Sequence, residues 1–294
     1  MTVEIVEVSP RDGLQNESVL FSVAQKVALI ERAVSAGARR IEVASFVRAD
    51  RVPQMADAEA VIAALDLPDD VVTIGLVLNA RGAERALRTA VKELGAVCVA
   101  TDSFAGRNQG QTSLESAQVA ADVIRLARTE GRRAQATIGA AFGCPFEGEV
   151  SADHVVALAE RLAEAEPVEI ALADTIGVAV PVHVAGLVER VRAATGLPVR
   201  AHLHDTRGTG IANAWAAVQA GAATLDASIG GIGGCPFAPN ATGNIATEDL
   251  VYMLERMGRP TGVDLEALLP TAAFLSEQLG HEVPALVPRA GAFP

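Results

Sequence analysis

The 294-residue chain is 50% hydrophobic and carries a formal charge of -12, with a pI near 4.9. No Lys/Arg block interrupts that acidic balance, so no basic face is available for phosphate neutralisation and nucleic acid is not an expected partner. Cys98, Cys144 and Cys235 form no CxxC pair, which argues against a disulfide scaffold and for a reduced, cytoplasmic setting.

In chain order, the first strand pattern, 3–8, begins without a signal-peptide signature, and no apolar run approaches membrane-spanning length, so no membrane contact is expected. Arg11 and Asp12 follow it. Ser22-Val23-Ala24-Gln25 reads as a capping box for a helix that stops at Gly37. A second strand, 40–45, carries Glu42; a third, 71–78, leads into Asn79; a fourth, 96–101, holds Cys98 and precedes Asp102. Ser113 is placed to cap a helix closing near Gly131. The fifth strand, 134–141, contains Thr137, and the sixth, 168–173, is followed by Asp174. Pro181 suits a first helical turn, with Gly196 at that helix's end. The seventh strand, 199–204, puts His202 and His204 on one face, since residues i and i+2 of a strand point together. The eighth, 223–229, runs into the loop Gly230-Gly231-Ile232-Gly233-Gly234-Cys235-Pro236, with Asn244 beyond it. Residues after about 247 read as helices packed on the outside.

The strands are apolar enough to be covered on both faces, which argues for a parallel sheet. Eight βα units in this length most simply make a (β/α)8 TIM barrel, one catalytic domain over 1–294. A doubly wound open sheet is the alternative, weakened because no GxGxxG follows the first strand. The barrel reading demands functional residues at the C-terminal ends of strands. Arg11, Asp12, Glu42, Asn79, Asp102, Asp174, His202 and His204 stand there.

Each has a plainer reading beside the functional one. His202 and His204 either share a metal or bond to loop carbonyls. With oxygens from Asp12 and Asn244, the set suits an octahedral ion such as Mg or Mn better than zinc. Arg11-Asp12 is either a loop salt bridge or a working pair, while Glu42 and Asp174 suit a role orienting their neighbours. Cys235 is a buried hydrophobe or a thiol on a glycine-rich flap. Cys98 and Cys144 read as structural, and His154, His183 and His281 as solvated surface.

Ser9-Pro10-Arg11-Asp12-Gly13-Leu14-Gln15-Asn16-Glu17 resembles the first-strand signature of hydroxymethylglutaryl-CoA lyases, within the metal-dependent lyase and condensing-enzyme barrels. Gly143-Cys144-Pro145-Phe146-Glu147-Gly148, Asp174-Thr175-Ile176-Gly177-Val178 and Gly233-Gly234-Cys235-Pro236-Phe237 resemble that family too, in order along nearly the whole chain. The resemblance implies that Asp12, His202, His204 and Asn244 hold the metal. It also implies that Arg11 stabilises enolate charge, that His202 or a nearby carboxylate takes the substrate hydroxyl's proton, that Cys235 is a flap thiol, and that Glu42 and Asp174 support the site. It implies an acyl-CoA substrate, met by Arg11, Gln15 and Asn79, a place in leucine degradation, and a homodimer. Arg207, by its own chemistry, is either a bidentate carboxylate clamp on the substrate or a solvent-facing arginine paired with a rim carboxylate. The departures lie in the expected pocket wall: Arg207-Gly208-Thr209 replaces Tyr-Gly-Gln, Arg48-Ala49-Asp50-Arg51 replaces a Pro-Lys-Trp stretch, and Thr137 stands where a tyrosine is common. The substrate alternatives are hydroxymethylglutaryl-CoA, citramalyl-CoA, a longer 3-hydroxy-3-alkyl thioester, or a condensation run in the synthetic direction.

Overall fold

The computed structural model describes residues 2–234 and 243–293. The strands are β1 (Glu4–Glu7), β2 (Arg40–Ser45), β3 (Val72–Val77), β4 (Glu93–Val99), β5 (Arg133–Gly139), β6 (Ile170–Asp174), β7 (Val199–Leu203) and β8 (Thr224–Ala227). All pair in parallel and in sequence order, and β8 returns to β1 to close an eight-stranded TIM barrel. Each overlaps a segment expected from the sequence, but β4 begins three residues earlier than the expected 96–101, which brings Glu93 into the barrel.

Helices α1 (Val23–Ser35), α2 (Ala58–Ala64) and α3 (Ala80–Leu87) follow the first three strands. Next come α4 (Asp102–Gln109) and α5 (Ser113–Thr129) after β4, then α6 (Ala152–Ala163), α7 (Pro181–Thr195) and α8 (Gly210–Gln219). Their inner faces are sequence-encoded. In α5, Ala117, Ala120, Ala121, Ile124 and Ala127 recur at helical spacing and are buried against β4 and β5. Ser22 and Gln25 form the expected capping box on α1, and Gly196 ends α7 in the left-handed conformation. The cap of α5 is displaced by one residue: Thr112, not Ser113, pairs with Glu115 in a capping box. After β8 come α9 (Thr247–Arg256), α10 (Leu265–Leu279) and α11 (Val287–Ala290). The expectation that everything past 247 decorates the barrel needs revision, because α9 completes the eighth βα unit. α10 packs between α9 and α1. Among the described residues, no helix is long and apolar enough to cross a membrane.

The main apolar core lies between sheet and helices. The barrel interior departs from the branched apolar filling usual in this fold. Arg40, Glu93, Glu169, Arg200 and Asp226 are all buried there and paired with one another. A charged interior is stable only when paired, and here acid and base alternate.

Candidate active site

The C-terminal mouth of the barrel holds a cavity of about 200 Å³, lined among others by Arg11, Asp12, Gln15, Glu42, His202, His204, Asp226 and Gly234. Immediately after β1, Ser9–Gly13 forms a single π-helical turn. Such turns are frequent at functional sites. This one carries Arg11 and Asp12 to the mouth. Across the intervening β8, the C-terminal end of β7 delivers the two histidines. Their Nε2 atoms lie 3.1 Å apart, and Asp12 Oδ2 is 3.8 Å from the Nε2 of His202 and 3.9 Å from that of His204. Asn244 closes this side: its backbone bridges to His204, and its Nδ2 donates to Asp12 Oδ2 at 2.8 Å. The approach depends on Gly233, where a Cβ would sit 2.6 Å from Asn244 Nδ2 and φ is +105°.

The donor set fits a divalent ion. Cis ligands on an octahedral ion with bonds of about 2.1 Å stand about 3 Å apart, close to the separation of the two imidazole nitrogens. Two imidazole nitrogens and a carboxylate oxygen, all within 4.8 Å of one another, are also a suitable mixed N/O set. Among the described residues His204 Nδ1 is buried without a partner, so none of them gives the neutral ring a second hydrogen bond to fix its tautomer against ligation.

Electrostatics keep Asp12 and His204 deprotonated. Burial opposes ionisation of Asp12, yet the Arg11 guanidinium and the two histidines hold it well below the usual carboxylate range. Burial and the neighbouring His202 pull His204 down to about 4. Burial acts the same way on His202, but its hydrogen bond to Asp226 and the charge of Asp12 outweigh it and raise the pKa. Arg11 sits between two acids, donating from Nε to Glu42 Oε2 at 2.7 Å and from Nη1 to Asp12 Oδ1 at 2.6 Å. The sequence left Arg11-Asp12 open between a salt bridge and a working pair. The pair is indeed an ion pair, and it stands in the cavity wall.

The other expected site residues divide between the cavity wall and its surroundings. Asp174 accepts from the backbone N–H groups of Val178 and Ala179 at 2.9 and 3.0 Å, which shapes the loop after β6. Asn79 is exposed and caps α3 through a bond from Gly82 N at 2.9 Å; it does not line the cavity. Arg207 does not line the cavity either; its Nη1 donates to the carbonyls of Ile176 and Gly177 at 3.0 and 2.8 Å. Gln15 does line the cavity, and so does Thr137. Cys235 lies outside the described residues; Gly234, which precedes it, is a lining residue. His154 is not solvated surface: its Nε2 lies 2.9 Å from the Ala100 carbonyl.

Sequence reasoning missed Asp226 and Arg200. Asp226 Oδ2 lies 3.0 Å from His202 Nδ1, and Arg200 Nε is 3.2 Å from Asp226 Oδ1. A signal was present, since a charged residue inside a strand buried on both faces needs a partner.

Residues 2–275 match the HMGL-like family model. The chain is 45% identical to (R)-citramalyl-CoA lyase of Chloroflexus aurantiacus, over 98% of this chain and 95% of that protein. It is 42% identical to hydroxymethylglutaryl-CoA lyase of Pseudomonas mevalonii, over 95% and 93% respectively. Its fold superposes on the Bacillus subtilis HMG-CoA lyase with a TM-score of 0.95 at 38% identity, covering 98% of this chain and 97% of that one. An Acinetobacter baumannii HMG-CoA lyase in complex with coenzyme A and 3-methylmalate gives 0.94 at 37% identity, over 99% and 95%. With a family model spanning nearly the whole chain and relatives this similar along their full length, the protein belongs to the HMGL-like family of hydroxymethylglutaryl-CoA lyase-like enzymes.

Proposed function

We propose that this enzyme cleaves a carbon–carbon bond in a 3-hydroxy-3-methylglutaryl-CoA-type thioester, giving a keto acid and an acyl-CoA. With hydroxymethylglutaryl-CoA itself, the products are acetoacetate and acetyl-CoA. The observation that carries the reading is the convergence of Asp12, His202 and His204 on one point of the cavity, beside the fixed cation of Arg11. Asp12 and the two histidines would hold Mg or Mn, with Asn244 as a fourth ligand once its amide turns Oδ1 inward. When bound, that ion supplies Lewis acidity to the substrate's tertiary hydroxyl.

The remaining roles belong to the chain. The hydroxyl loses its proton, the C3–O bond becomes a carbonyl, and the C2–C3 electrons pass into the thioester as an enolate. His202 is a weak choice as proton acceptor, because Asp226 engages Nδ1 and Nε2 faces the other ligands. Glu42 suits the step better: burial raises its affinity for a proton, against the pull of Arg11, whereas Asp12 and Asp226 are held low. Arg11 cannot lose its charge and has N–H groups to spare, so it can meet the developing enolate oxygen. Cys235, next in the chain after Gly234, would return a proton to the enolate carbon. The cytoplasm and leucine degradation are the setting such an enzyme suits.

A second reading, citramalyl-CoA as substrate, is favoured by the 45% identity to a citramalyl-CoA lyase. The two substrates share the methylated tertiary alcohol and differ by one methylene, worth about 1–3 kcal/mol of discrimination in a pocket. The test is to present the purified enzyme with hydroxymethylglutaryl-, citramalyl- and longer 3-hydroxy-3-alkyl-CoA thioesters and to identify the products. Acetoacetate with acetyl-CoA as the fastest products is expected. Pyruvate formed from citramalyl-CoA, with hydroxymethylglutaryl-CoA left intact, would move the assignment to the second reading.

A further inference from the structure

A ladder of charge runs up the barrel interior to His202. Arg40 pairs with Glu93 and, at 2.8 Å, with Glu169; Arg200 Nη1 lies 3.3 Å from Glu169 and its Nε 3.2 Å from Asp226. Asp226 Oδ2 then lies 3.0 Å from His202 Nδ1. The residues come from β2, β4, β7, β8 and the position just before β6, and every one is buried. Such a ladder costs desolvation, and apolar packing would stabilise a barrel interior at least as well. What it provides is direction: the carboxylate at its upper end is held in one orientation.

We propose that Asp226, held in place by Arg200, is the positioning residue for His202, fixing the tautomer and ring orientation that present Nε2 as a free lone pair toward His204 and Asp12. The inference rests on the ligand set given under the proposed function. An ionised carboxylate only accepts hydrogen bonds, so the proton between Asp226 and His202 belongs to Nδ1. A neutral ring protonated at Nδ1 has a bare Nε2, the state a metal ligand requires. Arg200 contributes through its ion pair with Oδ1, 3.2 Å from Nε, which leaves Oδ2 for the histidine. Among the described residues His204 has no such partner for its Nδ1, so within them one ring is fixed and the other is not.

Asp226→Asn tests this without changing shape. The Arg200 guanidinium attracts the amide oxygen and repels the amide NH2, which turns Nδ2 toward His202. An N–H donor there demands a lone pair on Nδ1 and moves the ring proton to Nε2, the wrong atom for ligation. Titration of the full-length chain with Mn2+, read by the electron-spin signal of the free ion, should show affinity about ten- to a hundredfold weaker in the variant. kcat should fall with it, while KM for the thioester holds. Thermal unfolding establishes that the variant is folded at the assay temperature. A second measurement needs no variant: nitrogen NMR of histidine-labelled wild-type protein should find the His202 proton on Nδ1. A folded Asp226→Asn protein with wild-type Mn2+ affinity would overturn the proposal, as would a wild-type His202 protonated at Nε2. Wild-type protein that binds no Mn2+ at all overturns the ligand set itself, and this proposal with it.

Discussion

Arg11 is where loss of one side chain separates chemistry from scaffolding. Its side chain is 10% exposed, and its guanidinium lies between Glu42 and Asp12, within 2.7 Å of each. Arg11→Met therefore has two effects. It leaves two buried carboxylates without their shared cation, and breaking a buried ion pair costs about 3–5 kcal/mol of stability. It also removes the fixed charge that meets the enolate, and losing a donor at developing negative charge lowers kcat about a hundredfold or more. Arg11→Lys distinguishes them. The ammonium retains the charge but not the forked geometry, so most of the stability should return while kcat stays well below wild type. The assay is steady-state release of acetyl-CoA from hydroxymethylglutaryl-CoA, with thermal unfolding measured alongside. KM should move by no more than a few-fold, because the interaction forms mainly in the transition state. A folded Arg11→Met enzyme with near-normal kcat would reduce Arg11 to a counterion for its two acids.

Glu248 gives a pH signature. Burial pushes its pKa up to about 8 from an ordinary value of 4.5, so the unfolded chain ionises first and stability falls between those limits as pH rises. Glu248→Gln mimics the protonated acid and should flatten that fall, by about 1.4 kcal/mol per pH unit, in denaturant titrations from pH 5 to 8; equal slopes in both proteins would refute the assignment. Cys235→Ser should fold normally yet lose most turnover, because a hydroxyl is a far poorer proton donor than a thiol near neutral pH. Alkylation should inactivate wild type, and unchanged turnover in the serine variant would remove Cys235 from the mechanism. Arg207→Tyr should leave relative kcat/KM among acyl-CoA substrates unchanged and cost about 1 kcal/mol or less, because Arg207 ties loop carbonyls rather than facing the cavity. A changed substrate profile would return it to the pocket wall.

The barrel was legible because its strands are short Val/Ile/Ala runs separated by capped helices, and both signals are local. The histidine pair and the Arg11-Asp12 turn were legible for a similar reason: strand period and strand end place them without reference to other elements. Asn79 and Arg207 show the limit of that logic. A polar residue after a strand is as useful for capping the next helix, as Asn79 does for α3, or for bonding a neighbouring loop, as Arg207 does. Asp226 and Arg200 were missed because their roles come from cross-strand pairing, and the period of one strand does not reveal what its neighbour presents. The same holds for Glu42: its place in the sequence suggested a supporting role, and only the closed barrel joins it to Arg11.

The central claim is that a divalent ion at Asp12, His202 and His204 is required for cleavage. The direct measurement is acetyl-CoA release from hydroxymethylglutaryl-CoA by chelator-treated protein, before and after addition of Mn2+ or Mg2+. Activity should be negligible after chelation and return when either ion is restored, with His204→Ala failing to recover. Equal rates in the metal-free and metal-loaded protein would contradict the account.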